Sequence, residues 1–222
     1  MNIQFLKFIS DNYSPGRIVM IGADDFVGKL VREGQSSLTM DGKESKWSHT
    51  FILGERRTCN DFKDINGSDI FIYESDLDLS FENMSLGNGA MESRLIKWAS
   101  DEHKVHHACV IEAEGISKDE FDKIVYFART SAYEGENHIK YPLIGLVGIL
   151  WAIITHTVNK PNIFNEKYTA NCCSFVRLCY KHLNIPITQS NVDPQNTADE
   201  HIYQFAFKHQ GKTKIINEWS KE

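Results

Sequence analysis

The segment 171–183 reads Asn-Cys-Cys-Ser-Phe-Val-Arg-Leu-Cys-Tyr-Lys-His-Leu and combines a helix start signal with two adjacent cysteines. Asn171 is a good N-cap residue, which places Cys172 in the first turn of the predicted helix. Pro186 marks the end of the helix, because proline does not continue one. The apolar stripe of this helix consists of Val176, Cys179, Tyr180 and Leu183. The segment therefore predicts an amphipathic helix that begins at the cysteine pair.

Cys172 is the candidate nucleophile. Unpaired backbone N–H groups and the helix dipole at a helix start stabilise a thiolate, which lowers the thiol pKa. The same N–H groups can form part of an oxyanion hole. Cys173 is the rival nucleophile. A structural interpretation stands beside both, because most free cysteines are small buried residues.

A thiolate at neutral pH also requires an imidazole partner. His49 is the candidate base because it lies in Trp47-Ser-His-Thr, at the start of a predicted strand that can aim the ring at a distant helix terminus. A histidine at a strand start is also often a structural residue. A third polar group should orient the imidazole. Glu74 and Glu112 are the candidates for this group, because each stands at the end of an apolar strand.

Four short motifs, taken in chain order, resemble those of the circularly permuted NlpC-type papain-like cysteine hydrolases, the YiiX-like group. The motifs are Gly16-Arg-Ile-Val-Met20, Trp47-Ser-His-Thr50, Phe71-Ile-Tyr-Glu74 and Asn171-Cys-Cys-Ser-Phe-Val176. The histidine precedes the cysteine, as the permutation requires, and the resemblance covers roughly residues 14–205. It implies an α+β, permuted papain-like fold, with an antiparallel sheet or partial barrel packed against helices.

The resemblance also implies roles for the site residues. Cys172 rather than Cys173 is the implied nucleophile, His49 the base and Glu74 rather than Glu112 the third group. The implied activity is that of a cysteine amidase or peptidase that forms a thioester and uses no metal or cofactor. Peptide amide bonds of peptidoglycan are the leading substrate, with lipid acyl hydrolysis or transfer as an alternative. A catalytically idle domain of the same fold that binds a peptide, lipid or protein is a second alternative.

Two residues depart from the family pattern. Cys173 stands where the family usually has serine, and Arg17 stands where an acidic residue is usual. Tyr168, shortly before the nucleophile, is a further candidate to donate a hydrogen bond or to line the pocket.

Hydrophobic periodicity predicts four strands followed mainly by helices, which indicates an α+β single domain over residues 1–222, with a core at about 14–205. The predicted strands are Arg17–Ile21, Trp47–Leu53, Asp69–Tyr73 and His107–Ile111. The predicted helices are 24–33, Leu143–Thr155, Cys172–Leu183 and Ala198–Phe207. A further helix is predicted to begin at a capping box formed by Ser117 and Glu120.

Two of the predicted helices carry many apolar residues. Helical spacing in segment 24–33 places Phe26, Leu30 and Val31 on one face. Leu143–Thr155 is almost entirely apolar, so we expect it to be enclosed in the core. It falls short of the roughly 18 residues needed to span a bilayer, and no transmembrane segment is predicted.

Composition restricts the class of function. A formal net charge of −6 disfavours a nucleic-acid partner. The five cysteines show no CxxC spacing, so neither a disulfide framework nor a zinc ribbon is predicted. Met1–Ser10 has no signal-peptide pattern, and we expect a cytoplasmic protein in the producing cell. Action on peptidoglycan would then need export by a signal-independent route to a rival's periplasm, together with an inhibitor or immunity protein.

Overall fold

The computed structural model of the protein describes residues 1–80, 85–133, 139–140, 143–162, 169–209 and 211–221. Tyr168, the candidate pocket residue, lies outside these ranges.

In the described part of the chain, six strands form one open, fully antiparallel sheet. They are β1 (Ile18–Ala23), β2 (His49–Arg56), β3 (Ile70–Ser80), β4 (Ser85–Arg94), β5 (Val105–Ala113) and β6 (Thr213–Ser220). Their order across the sheet is β4-β3-β2-β1-β5-β6. The predicted α+β class with an antiparallel sheet packed against helices is confirmed, and the sheet is open rather than a partial barrel.

Six α-helices accompany the sheet within the same ranges. They are α1 (Ile3–Asp11), α2 (Phe26–Gly34), α3 (Lys118–Tyr133), α4 (Leu143–Ile154), α5 (Cys172–Lys181) and α6 (Asp199–Lys208). Asn171 caps α5 by accepting a hydrogen bond from the Ser174 N–H, as predicted. The predicted capping box of Ser117 and Glu120 begins α3. The sequence reasoning did not predict α1, β4 or β6.

The central strand β1 is buried on both faces of the sheet. Ile18 and Met20 belong to a first core that is covered by α3, α5 and α6. Val19 and Ile21 belong to a second core on the opposite face, covered by α1 and by a 3₁₀ turn, Leu95–Ala99. Successive side chains of a strand point to opposite faces, so one apolar strand joins the two cores.

The helix predicted at 24–33 forms as α2, and its apolar side chains face outward. Phe26 is 78% exposed and Leu30 is also exposed. The inward face is formed by Gly28 and Arg32. A Cβ at Gly28 would crowd the Ala23 carbonyl oxygen, so this helix lies close to the end of β1 through a glycine. Arg32 reaches inward to pair with Asp24 at 2.6 Å.

The expectation that α4 is enclosed holds for one face only. Ile149 and Ile153 are buried, and they form a small third core with Ala198. Val147, Trp151 and Ile154 on the opposite face are exposed. A helix that is apolar all round has no polar face to turn toward solvent, so one-sided packing leaves apolar side chains outside. No helix within the described ranges is both long enough and apolar enough to cross a membrane.

The two faces of α4 give a stability prediction. Ile153→Ala should lower the free energy of unfolding by about 3 kcal/mol, because it removes buried methyl groups and leaves a cavity. Trp151→Gln should change it by less than about 0.5 kcal/mol, because Trp151 is 57% exposed. Urea denaturation of both variants measures the difference. Equal losses in the two variants would contradict the exposed position of Trp151.

Candidate active site

His49 begins β2, and its position is set by contacts of the residues just before it. The Ser48 N–H donates to the Ile21 carbonyl at 2.8 Å, and the Ser48 hydroxyl accepts from the Ala23 N–H at 2.9 Å. Gly22 of β1 has no side chain to block the Lys46 carbonyl, which a Cβ there would overlap. These contacts hold the start of β2 against β1 and leave little freedom for the His49 backbone.

The three predicted catalytic residues meet at one place. Glu74 lies on β3, the neighbour of β2 in the sheet, and its carboxylate contacts His49 Nε2 at 2.9 Å. The His49 ring also lies close enough to the Cys172 thiol for the two groups to change each other's pKa. Because Nε2 is occupied by Glu74, Nδ1 is the nitrogen left for Cys172. Helix α5 packs on β2 and β3, which brings Cys172 to this end of the sheet.

Glu112, the rival third group, lies on β5, and its partners are basic residues. It pairs with Arg17 at 2.5 Å and with Lys214 at 3.4 Å. Arg17 therefore serves as a partner for Glu112. The structure places Glu74, and not Glu112, beside His49.

Glu74 is fully buried, and it accepts hydrogen bonds from other groups besides His49. Lys97 Nζ contacts its Oε1 at 3.1 Å, and the Trp98 indole N–H donates to its Oε2 at 2.9 Å. Burial raises the pKa of Glu74, but the Lys97 charge and the His49 hydrogen bond outweigh it and hold the pKa well below its usual value. Glu74 is therefore an anion at neutral pH.

Lys97 and Trp98 were not identified from the sequence. They lie in the 3₁₀ turn Leu95–Ala99, a segment without a motif. The Trp98 ring also packs against the His49 ring, with centroids 4.6 Å apart, and against the His103 ring at 4.4 Å. Trp98 thus helps to orient His49 in two ways: it hydrogen-bonds the same Glu74 carboxylate, and its ring packs against the His49 ring.

Cys172 has the properties of a reactive thiol. A hydrogen bond with Cys173 and the positive charge of His49 outweigh burial and bring the pKa of Cys172 to about 7. Burial lowers the pKa of His49, but the negative charge of Cys172 and the Glu74 hydrogen bond raise it well above its usual value. As the pH rises above about 7, the pair is therefore increasingly a thiolate and an imidazolium.

Cys173 has a different environment. Its Sγ lies 3.8 Å from Cys172 Sγ and 3.0 Å from Asp199 Oδ1. Burial, together with the nearby Cys172 and Asp199, raises the pKa of Cys173 well above its usual value. Cys173 therefore keeps its proton under conditions in which Cys172 loses it.

Asp199, the first residue of α6, is a buried carboxyl that the sequence reasoning missed. It accepts from the Thr50 hydroxyl at 2.5 Å, and burial raises its pKa. Gln35 links this part of the site to the segment just before β2. Its amide donates to the Trp47 carbonyl at 2.9 Å, and its oxygen accepts from the Glu200 N–H at 2.8 Å. An acidic residue in the first turn of a helix is ordinary, so the sequence carries no distinct signal for it.

The start of α5 supplies hydrogen-bond donors. Asn171 satisfies the Ser174 N–H. The N–H groups of Cys172 and Cys173 have no acceptor among the described residues. A substrate carbonyl placed at the Cys172 sulfur would therefore find backbone donors close by, as an oxyanion hole requires.

The thiols of Cys172 and Cys173 and the carboxylate of Asp199 form one compact cluster. The three ligand atoms all lie within 4.8 Å of one another, and all three residues are buried. Thiolate and carboxylate are ligands of zinc in proteins, so this group has the composition to hold a metal ion.

No protein-family model matches the chain, and no curated protein matches its sequence.

The thiol geometry gives a pH prediction. Alkylation of Cys172 by iodoacetamide should increase with pH around a midpoint of about 7, because the thiolate forms as the pH rises through the pKa of this residue. His49→Ala should move the midpoint up toward about 8.5, the value of an ordinary thiol. Mass spectrometry of the separate cysteine peptides measures the rates, with Cys59 as the internal reference. A midpoint of about 8.5 for Cys172 in the parent protein would contradict the ion pair.

The two glutamates give a second prediction. Glu74→Gln should slow alkylation of Cys172 at pH 7 and lower the free energy of unfolding by about 3 kcal/mol, because Lys97 and His49 lose a buried anion. The stability difference should shrink as the pH falls below about 4, since a lowered carboxyl pKa contributes stability only while the group is ionised.

Glu112→Gln is the matched control for this comparison. It removes a carboxylate from a strand of the same sheet, at a place away from His49, and should leave the alkylation rate of Cys172 unchanged. Alkylation and urea denaturation are measured on both variants. Equal effects of the two substitutions would contradict the role of Glu74 as the residue that orients His49.

Proposed function

We propose that the protein is a cysteine hydrolase of the amidase or peptidase type, with Cys172 as nucleophile, His49 as base and Glu74 as the residue that orients His49. The observation that carries the proposal is that His49 hydrogen-bonds a buried, ionised Glu74 and interacts electrostatically with the Cys172 thiol. The order of histidine strand, glutamate strand and cysteine helix supports the resemblance to permuted papain-like hydrolases.

The proposed reaction proceeds through a thioester. His49 holds the proton of Cys172, and the thiolate attacks the substrate carbonyl carbon while N–H groups at the α5 start hold the oxyanion. The tetrahedral intermediate collapses, the carbon–nitrogen bond breaks, and His49 gives its proton to the leaving amine. A water molecule then loses a proton to His49 and attacks the thioester, which releases the acid and restores the Cys172 thiol.

For the substrate we propose peptide amide bonds of peptidoglycan. The resemblance to NlpC-type hydrolases supports this class. The corresponding proposal for location is a cytoplasmic origin and signal-independent export to a periplasm, as an antibacterial effector. A cell that produces such an effector would need a protein inhibitor of the enzyme for its own protection.

Lipid acyl chains are a second candidate substrate, and one observation favours them. Phe26, Val27 and Leu30 of α2 are exposed, as are Trp151 and Ile154 of α4. The two helices are neighbours, since a Cβ at Gly34 of α2 would overlap the Leu150 side chain of α4. Exposed apolar patches of this kind mark binding sites for membranes, ligands or proteins. Helix α4 also packs on Ala198, next to Asp199 of the site.

Incubation with purified peptidoglycan fragments and, separately, with phospholipid vesicles tests the proposal. We expect new peptide fragments that mass spectrometry detects, and a mass increase on Cys172 when the reaction is quenched with acid. Cys172→Ala and His49→Ala should each abolish turnover while the protein stays folded, because each removes a reacting group.

Cys59→Ser is the matched control, because it removes a partly exposed thiol outside the site. Its turnover should equal that of the parent protein. Release of fatty acid or lysolipid, with peptidoglycan left intact, would show that lipid acyl chains and not peptidoglycan peptides are the substrate. Unchanged substrates together with an ordinary Cys172 pKa would identify a binding domain instead of an enzyme.

A further inference from the structure

We propose that Cys172, Cys173 and Asp199 form a binding site for a zinc ion, and that zinc at this site holds the nucleophile inactive. The site uses two groups, Cys173 and Asp199, that take no direct part in the bond-making and bond-breaking steps of the proposed hydrolysis. Binding of the ion is independent of the proposed function, and only the inhibitory consequence rests on it.

The spacing of the sulfur atoms fits tetrahedral zinc. Two thiolates bound to one zinc ion at about 2.3 Å lie about 3.8 Å apart at the tetrahedral angle. Cys172 Sγ and Cys173 Sγ are 3.8 Å apart. Asp199 Oδ1 is 3.0 Å from Cys173 Sγ, which is shorter than the S···O edge of about 3.5 Å in such a site. A small outward movement of the carboxylate therefore completes three ligands.

The charge of the cluster also favours a cation. Asp199 is buried, and its contacts are the uncharged Thr50, Cys173 and Gln35. No lysine or arginine within the described ranges forms an ion pair with it. The His49 imidazolium also acts on Asp199, but His49 is already the partner of Glu74. An ionised carboxylate whose hydrogen-bond partners are uncharged is costly to bury. A zinc ion supplies positive charge and also binds two thiolates. Harder divalent cations such as Mg²⁺ and Ca²⁺ prefer oxygen ligands.

The arrangement is held by two elements. Cys172 and Cys173 begin α5, and Asp199 begins α6. Asn171 ties these two helix starts together, because its amide N–H donates to the Thr197 carbonyl at 3.2 Å while its oxygen caps α5. The three ligand side chains are therefore in place before any ion binds, which reduces the free-energy cost of assembling the site.

The consequence for chemistry follows from the electron pairs. Zinc binding releases the thiol proton of Cys173 and the proton that His49 holds for Cys172 to solvent, and the sulfur lone pair of Cys172 enters the Zn–S bond. That lone pair is then no longer available to attack a carbonyl or an alkylating agent. Removal of zinc by a chelator returns the thiolate to its contact with His49.

Metal titration of the reduced full-length protein tests the site directly. We expect one zinc ion per chain, competition by zinc for bound cobalt, and a thiolate-to-cobalt absorption band in the near ultraviolet. Zinc should slow iodoacetamide alkylation of both Cys172 and Cys173, and a chelator should restore it. These readouts need no substrate, so failure of zinc binding and failure of hydrolysis are separate results.

Variants identify the ligands. Cys173→Ser and Asp199→Asn should each weaken zinc binding by at least about 10-fold, the loss that follows even when a residue outside the ligand shell is changed. Cys59→Ser and Asp61→Asn are the matched controls at exposed or partly exposed positions, and zinc binding should not change in them. Thermal unfolding of each variant verifies that it is folded.

Three results would overturn the proposal. The first is no zinc binding by the reduced parent protein. The second is zinc binding that is equally tight in Cys173→Ser, which would assign the ion to other groups, such as the histidines at 103, 106 and 107. The third is zinc binding that leaves alkylation of Cys172 at its original rate. The protection measurement uses the parent protein, so it holds even when a variant fails to fold.

Discussion

A buried carboxylate on the second strand of the site, Glu74, is the constraint on which the rest of the site depends. Without solvent, its charge has to be balanced by protein groups, and Lys97, Trp98 and His49 all direct donors at its two oxygens. Each of these bonds also orients the group that makes it. Burying one anion therefore sets the direction of the His49 ring, and through the ring it sets the partner of Cys172.

The sheet supplies the frame for this constraint. His49 and Glu74 belong to neighbouring antiparallel strands, and α5 packs across them with its N-terminus at the His49 end. The second core packs against the other face of the sheet behind β1, and the contacts of Ser48 hold the first residue of β2. A thiolate at a helix start, an imidazole on a strand and a carboxylate on the next strand are thus held within reach of one another.

The two adjacent cysteines have opposite chemistry for a simple geometric reason. Neighbouring residues on a helix point about 100° apart, so Cys172 turns toward His49 and Cys173 toward Asp199. A cation beside the first thiol favours its ionised form, whereas a carboxyl beside the second disfavours it. The same divergence leaves two sulfur atoms and a carboxyl oxygen around one point, which is the arrangement a soft divalent ion requires.

Local sequence patterns alone determined the helix that begins at Cys172, the capping box of α3, the four central strands and the α+β class. These depend on cap residues and on the period of apolar side chains, both of which are short-range properties. The pairing of His49 with Glu74 rather than Glu112 came from motif order in the sequence, and the structure places Glu74 beside His49.

Only the tertiary structure decided the partners of Glu74, the inward position of Asp199 and the outward faces of α2 and α4. Each of these depends on which elements pack together, because an apolar or acidic side chain is buried or exposed according to its neighbours in space and not according to its neighbours in the chain.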